Sequence, residues 1–222
     1  MLRRGHKQPP RITARPTDWA NRKDRRAPNG KAKGLAMKTY KKSDFPVEDV
    51  RRFLEPGPIV LVSSRWQMRT NIMTMGWHMI MGFRPSLIGC YIWSENESFN
   101  MVRKSKECVI NIPTADIAKT VVGIGNTSGR DIDKFKEFGL TAETGAIVDA
   151  PLIKECYANF ECRLIDTGLI NKYSLFVLEV VKAHVAASPK FPRTIHYRGD
   201  GTFMISGENT TRYRRQFKPD ML

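Results

Sequence analysis

The chain has 222 residues, of which 41% are hydrophobic, and its 37 Lys/Arg against 22 Asp/Glu give a formal net charge of +15. This length suits one domain with an appendage, whose core would bury roughly 70% of its unfolded surface without help from disulfides or a metal. No run of about 18 apolar residues is present, which argues against a membrane span. The amino terminus lacks the apolar segment of a secretory signal, so we expect a cytoplasmic protein.

The positive charge is concentrated at the amino terminus. Residues 1–36 hold eleven Lys/Arg and two Asp, a net charge of +9, whereas residues 37–222 carry only +6. Residues 1–36 have almost no apolar content to offset the entropy of ordering, which predicts a basic, disordered extension before a domain at 37–222. The extension is either an arm that contacts nucleic acid, a transit-like peptide, or sequence upstream of a start at Met37. A dispensable extension is the favoured interpretation.

The elements after Met37 predict a mainly β fold with short peripheral helices. A capping serine, an early proline and one apolar face predict a helix from Ser43 to Pro56. Strands are predicted at Ile59 to Val62 and Leu87 to Trp93, with a polar hairpin segment between them. A helix at 97–106, a strand from Cys108 to Ile112 and a helix from Thr114 to Val122, closed by Gly123, follow.

The second half of the domain is dominated by strands. A short helix carrying Phe135 and Phe138 precedes an alternating strand around Phe160 to Leu164. A longer strand runs from Leu175 to Val185, and an Asp-Gly turn joins a last hairpin. Many strands with hairpin turns and few helices predict a small antiparallel barrel.

The four cysteines predict reduced, buried thiols. Cys90, Cys108, Cys156 and Cys162 lie in apolar, strand-like stretches without CxxC spacing. Structural zinc requires closely spaced thiolate or imidazole pairs, so no metal site is expected. Buried free thiols are typical of cytosolic proteins.

Residues 71–77 (Asn-Ile-Met-Thr-Met-Gly-Trp) combine an amide, a hydroxyl, a glycine and an indole in seven residues. Taken alone, they are also consistent with an ordinary hairpin arm whose apolar side is core. A flavin mononucleotide needs hydrogen-bond donors for its phosphate, polar groups for its ring edge and apolar cover for its faces. The candidates are Ser98 for the phosphate, Asn71 and Thr74 for the ring edge, Trp77 for a face or the ribityl chain, and Lys134 for positive charge near the phosphate or the pyrimidine carbonyl. Each also has an ordinary structural explanation: Ser98 as a helix cap, Lys134 as a solvated helix charge and Trp77 as a core aromatic residue.

These and other motifs resemble those of the flavin reductase-like proteins, particularly the flavoredoxin branch. The resemblance runs from about Met37 to Phe217. Its motifs are Asn71 to Trp77, Pro85, Ser98, Val109 to Pro113, Ser128 to Phe135, Gly139 to Thr141, Ala150 to Ile153, Ala158 to Cys162, His196 to Arg198 and Phe203.

The resemblance implies an FMN-binding split β-barrel of antiparallel Greek-key type. It implies a homodimer with FMN near the subunit interface, and flavin contacts from Asn71, Met73, Thr74, Trp77, Ser98, Lys134 and Phe203. The activity implied is that of an oxidoreductase. It would pass electrons from NAD(P)H or a redox partner protein, through FMN, to flavin or another acceptor, without a catalytic side chain.

Two positions depart from the family pattern. Many relatives have an arginine where this chain has Asn96, so Arg103 or Lys134 would have to supply charge near the phosphate. Relatives often have a histidine where this chain has Tyr173, which can donate a hydrogen bond but cannot carry a proton at neutral pH as histidine does.

The alternative function is a non-enzymatic flavin- or ligand-binding barrel whose basic arm contacts nucleic acid. Nucleic-acid binding by a small barrel requires aromatic residues interleaved with Lys/Arg on one face, and only Arg212-Tyr213-Arg214-Arg215 has that pattern. A solvated tail explains it as well, so nucleic-acid binding is not favoured. No GxGxxG opens a βαβ unit, so any nicotinamide would bind without a Rossmann domain.

Overall fold

The computed structural model describes residues 37–54 and 57–218, and the predicted extension at 1–36 lies outside them. The predicted fold class, mainly β with short peripheral helices, is confirmed. The strands are β1 (Lys42–Phe45), β2 (Val60–Trp66), β3 (Arg69–Met75), β4 (His78–Phe83), β5 (Ser86–Tyr91), β6 (Glu107–Ile112), β7 (Ala142–Glu143), β8 (Leu152–Ile153), β9 (Ala158–Asp166), β10 (Leu175–Ala186), β11 (Ile195–Gly199) and β12 (Thr202–Ile205). The helices are α1 (Arg51–Leu54), α2 (Glu97–Ser105), α3 (Ala118–Gly125), α4 (Lys134–Glu137) and α5 (Ile170–Tyr173).

One antiparallel sheet organises the domain, in the order β3-β2-β6-β9-β10-β5-β4. The long strand β10 holds it together, because one of its edges pairs with β9 along most of its length. Its other edge is shared by two partners: β5 pairs with the first half, and β1 pairs with the last four residues. The pairs β7–β8 and β11–β12 form two separate hairpin-like sheets.

Side-chain alternation sends neighbouring residues of the β2–β3 hairpin into two different cores. Val62 and Met73 pack in the larger cluster, with Phe160 on β9. Leu61 and Ile72 pack in the second cluster, under α3 and α4. Because strand residues alternate between faces, each face of β3 serves a different side of the molecule.

The predicted helix from Ser43 to Pro56 is wrong in its first part. Residues Lys42–Phe45 form β1, whose Lys42 pairs with Ala186 and whose Phe45 pairs with Ala183. A 3₁₀ turn at Val47–Asp49 and the short α1 follow. The end of β10 offers an unpaired edge, and backbone pairing with it outweighs the local helix preference of this segment.

Gly123 does not end the helix that begins near Thr114, because α3 continues to Gly125. A Cβ added at Gly123 would lie 2.5 Å from Cε1 of Phe138. The glycine therefore allows the aromatic ring to pack directly on the α3 backbone. The requirement comes from tertiary packing, not from helix termination.

All four cysteines are buried and unbridged, as predicted. Burial raises the pKa of the Cys90 thiol well above its usual value, because an apolar site disfavours the thiolate. No helix in the part of the chain that the structure describes is long and apolar enough to cross a membrane.

Candidate functional site

Asn71 and Ser98 meet at the contact between β3 and α2. The Asn71 side-chain nitrogen Nδ2 donates a hydrogen bond to Oγ of Ser98 at 2.9 Å. The two residues are 3% and 0% exposed. Two polar side chains 27 residues apart in sequence are thus held together inside the protein, a direct contact that the sequence analysis did not predict.

The carbonyl oxygen of the Asn71 amide has no hydrogen-bond donor among the described residues. This oxygen, Oδ1, is buried, whereas Nδ2 of the same side chain is hydrogen-bonded to Ser98. The backbone of the 127–130 loop passes directly over it, since a Cβ added at Gly129 would lie 2.1 Å from Oδ1. A buried unpaired carbonyl typically costs about 1–3 kcal/mol, which a ligand donor would relieve.

The amino terminus of α2 is also open to an acceptor. Asn96 occupies the capping position in an extended conformation, but its side chain makes no capping hydrogen bond. The first N–H groups of a helix lack intrahelical acceptors and carry the positive end of the helix dipole. Together with Ser98 in the first turn, they form a binding point for an anion such as phosphate.

Lys134 brings a buried ammonium to the same place. Asp133 caps α4 by accepting hydrogen bonds from the N–H groups of Phe135 and Lys136, which fixes the position of Lys134. Its Nζ donates to the carbonyl oxygen of Ile124 at 2.9 Å, and the residue is 4% exposed. Burial lowers its pKa to about 8. An ammonium has three donors, so two remain for a ligand.

Arg130 brings a guanidinium group into the same cleft as Asn96. Its Nε donates to Oε2 of Glu97 at 3.0 Å, and its Nη2 donates to the carbonyl oxygen of Glu95 at 2.8 Å. Glu97 also pairs with Nη1 of Arg69 at 3.3 Å. One carboxylate is therefore shared by two guanidinium groups beside the α2 terminus. Arg103, proposed from the sequence for positive charge near the phosphate, is exposed farther along α2.

These groups line one cleft of about 200 Å³, which we call the polar cleft. Four of the seven predicted site residues line it: Asn71, Met73, Ser98 and Lys134. The residues that sequence reasoning did not assign come mainly from the two flanking loops: Glu95, Asn96, Glu97, Thr127, Ser128, Gly129 and Arg130. The Ser-Gly-Arg-Asp run was the available signal, because small and cationic residues in a loop suit close approach to an anion.

The other three predicted site residues lie outside the lining of the polar cleft. Thr74 donates from Oγ1 to the carbonyl oxygen of Val121 at 2.7 Å, so its hydroxyl faces α3. Trp77 is 71% exposed and packs on Tyr91, with ring centroids 5.1 Å apart. Phe203 packs on Tyr197 in the β11–β12 hairpin. Their flavin contacts stay predictions.

Sequence comparison relates the chain to a described family and to proteins of other organisms. A model for the flavin reductase like domain matches residues 51–202. The uncharacterized protein YddH of Escherichia coli K12 is 31% identical over 183 residues, which cover 75% of this chain and 97% of that protein. An uncharacterized protein of Archaeoglobus fulgidus is 32% identical over 123 residues, covering 55% and 68% of the two chains.

Solved structures share the fold. An FMN-binding domain of a flavin reductases-like enzyme from Shewanella baltica superimposes with a TM-score of 0.73 at 25% identity, covering 78% of this chain and 98% of that chain. Flavoredoxin of Desulfovibrio vulgaris gives a TM-score of 0.65 at 23% identity, covering 70% and 90%. The predicted split barrel is therefore confirmed, and the chain belongs to the flavin reductase-like family.

Proposed function

We propose that this chain is an FMN-dependent oxidoreductase and that the polar cleft holds the FMN. The observation that carries the proposal is the meeting, in one cleft, of an uncapped helix terminus, a buried ammonium and an unpaired buried amide oxygen. A phosphate needs the first two, and the polar edge of a flavin offers N–H groups to the third. FMN, when bound, supplies the ability to take up a hydride and to release electrons.

The chain's own residues bind and orient the cofactor. Ser98 and the first N–H groups of α2 hold the phosphate, with Arg130 as the nearby cation. Asn71 accepts from the ring edge, and Lys134 adds positive charge that favours electron uptake by a neighbouring group. Met73 offers apolar contact surface on the same face of β3 as Asn71. None of these groups needs to transfer a proton, because positioning is the main requirement of hydride transfer.

NADH or NADPH, or a redox partner protein, is the proposed electron donor, and free flavin or another acceptor receives the electrons in the cytoplasm. The test is the absorbance spectrum of the purified full chain, before and after addition of each nicotinamide without oxygen. We expect a yellow protein whose flavin bands bleach with at least one nicotinamide. A flavin-loaded protein that neither nicotinamide bleaches would contradict nicotinamide-dependent reduction, and a colourless protein that takes up no FMN would contradict the whole proposal.

We further propose a homodimer whose interface includes the outer face of β4. Met79, Met81 and Phe83 alternate along this strand and are all exposed, next to the exposed Trp77. Contiguous apolar surface of this kind marks protein interfaces. The family resemblance implies FMN near a subunit interface, and an interface on this face would bring Trp77 close to the flavin.

A charge on the β4 face should dissociate the dimer. Met81→Glu buries a carboxylate in the proposed apolar interface, so we expect monomers in sedimentation velocity and an FMN affinity about tenfold lower. Met68→Glu is the matched control, because Met68 is 97% exposed at the tip of the β2–β3 hairpin. A monomeric native chain, or dimers in both variants, would rule out this interface.

A further inference from the structure

The 127–130 loop lines the polar cleft with four successive residues, so its position decides how open the cleft is. Its backbone lies against Asn71, because a Cβ added at Gly129 would be 2.1 Å from Oδ1 of that residue. A local turn organises the loop itself, since the N–H group of Asp131 donates to the carbonyl oxygen of Ser128. Such a turn fixes the shape of the loop but not its distance from the rest of the protein.

Three hydrogen bonds tie residues 128–130 to other elements of the described structure, and guanidinium groups donate all three. Nη2 of Arg69, at the start of β3, donates to the carbonyl oxygen of Gly129 at 3.0 Å. Arg130 donates from Nε to Oε2 of Glu97 at 3.0 Å, and from Nη2 to a backbone carbonyl oxygen just before α2 at 2.8 Å. The loop is therefore attached through side chains, on one side to the β2–β3 hairpin and on the other to α2.

Glu97 joins the two guanidinium groups. Its carboxylate accepts from Arg130 through Oε2, and it pairs with Nη1 of Arg69 through Oε1 at 3.3 Å. The Glu97 side chain is only 16% exposed, whereas those of Arg69 and Arg130 are 60% and 50% exposed. An isolated exposed ion pair contributes little to stability, but a carboxylate shared by two guanidinium groups forms a network in which each member orients the others. The three side chains therefore hold the loop as one unit.

We propose that Arg69, Glu97 and Arg130 form a clamp that holds the 127–130 loop closed over the polar cleft and sets how fast FMN enters and leaves. The inference rests on the proposed function for the identity of the ligand. Arg69 is a positioning residue, because it does not line the polar cleft and acts on the flavin only through the loop. A clamp that closes equally over the empty and the filled cleft slows entry and exit together, so it changes the equilibrium affinity little.

The first test is the rate of FMN exchange, measured by stopped-flow fluorescence on the full native chain and on Arg69→Met. We expect the association and dissociation rate constants both to rise by about fivefold, with a dissociation constant within about twofold of the native value. Loss of a positive charge by itself predicts slower association, because it weakens the long-range attraction of an anionic ligand. Arg65→Met is the matched control, since Arg65 is an exposed cation of the same hairpin that does not line the polar cleft. We expect neither rate constant to rise in this control.

Glu97→Gln tests the shared carboxylate. Glutamine keeps one acceptor oxygen at this position and replaces the other with an amide nitrogen that cannot accept, so one guanidinium group loses its partner. We expect both rate constants for FMN to rise, as in Arg69→Met. A carboxylate that only repelled the FMN phosphate would behave differently, because its removal would speed association and slow dissociation. That result would overturn the clamp.

Amide hydrogen exchange of the flavin-free chain tests the clamp without FMN. We expect residues 127–132 to exchange about fivefold faster in Arg69→Met than in the native chain or Arg65→Met, because more frequent opening exposes the hydrogen bonds of the local turn. Unchanged hydrogen exchange there, or faster FMN dissociation without faster association in Arg69→Met, would overturn this inference and leave the proposed function standing. A native chain that binds no FMN would overturn the proposed function, and this inference with it.

Discussion

Replacing Gly129 with alanine should weaken FMN binding by about tenfold to a hundredfold. Gly129 is not among the positive-φ glycines, so alanine can adopt its backbone conformation and the effect is steric. The added methyl would lie 2.1 Å from Oδ1 of Asn71 and 2.5 Å from its Cγ. Asn71 cannot withdraw easily, because it is in β3 and bonded to Ser98. The 127–130 loop must therefore move away from the polar cleft.

Gly125→Ala is the matched control for this substitution. A Cβ at Gly125 would have its nearest contact at 3.4 Å, with Thr74, which is an ordinary van der Waals distance. Gly125 is the last residue of α3 and is not among the positive-φ glycines, so alanine can adopt its backbone conformation. We expect native FMN affinity for Gly125→Ala in a fluorescence titration. If Gly129→Ala also bound FMN as the native chain does, the polar cleft would not be the flavin site.

The affinity for FMN should fall as the pH rises through about 8, the value to which burial lowers the pKa of Lys134. The protonated ammonium attracts an anionic ligand, and deprotonation above this pH removes the attraction by up to about tenfold per pH unit. The phosphate does not interfere, since its second pKa is about 6. In the protein without FMN, rising pH has the opposite effect on folding stability. The folded pKa lies below the usual 10.5, so this group makes folding more favourable as the pH rises between the two values.

Two substitutions separate the charge of Lys134 from its packing. Lys134→Arg keeps the charge at all accessible pH values, so FMN affinity should become independent of pH from about 7 to about 9.5. Lys134→Met keeps the length and loses the charge, so affinity should be about tenfold lower at pH 7 and equally flat. Titrations of all three chains across this range provide the measurement. An unchanged pH dependence in Lys134→Met would exclude Lys134 as the titrating group.

Asn71, Met73, Ser98 and Lys134, which were assigned together from the sequence and come from three separate segments, line one cleft. Their contacts with FMN stay predictions. Residues 71–77 were treated as one converging segment, whereas strand alternation divides them. Asn71 and Met73 face the polar cleft, and Thr74 faces α3 together with Ile72. Strand side chains alternate between the two faces of a sheet with a period of two, and this alternation could have been applied to residues 71–77. The resemblance assigned these residues by motif and did not consider which face of the strand each side chain occupies.

Arg130 and β1 depend on contacts that no local pattern contains. Arg130 reaches the α2 terminus only because the loop before α4 folds across β3, and its partners Glu95 and Glu97 lie more than 30 residues earlier in the chain. Similarly, Lys42–Phe45 becomes a strand because the far end of β10 has an edge available. Both outcomes are set by tertiary structure, which outweighs local propensity.

The central claim is that this chain binds FMN in the polar cleft. Its most direct test is a titration of the flavin-free chain with FMN, in which binding is monitored by the loss of flavin fluorescence. The native protein and Gly129→Ala are titrated side by side. We predict saturation at one FMN per chain for the native protein and binding weaker by about tenfold or more for the variant. No saturable binding to the native chain, or the same affinity in both proteins, would contradict the claim.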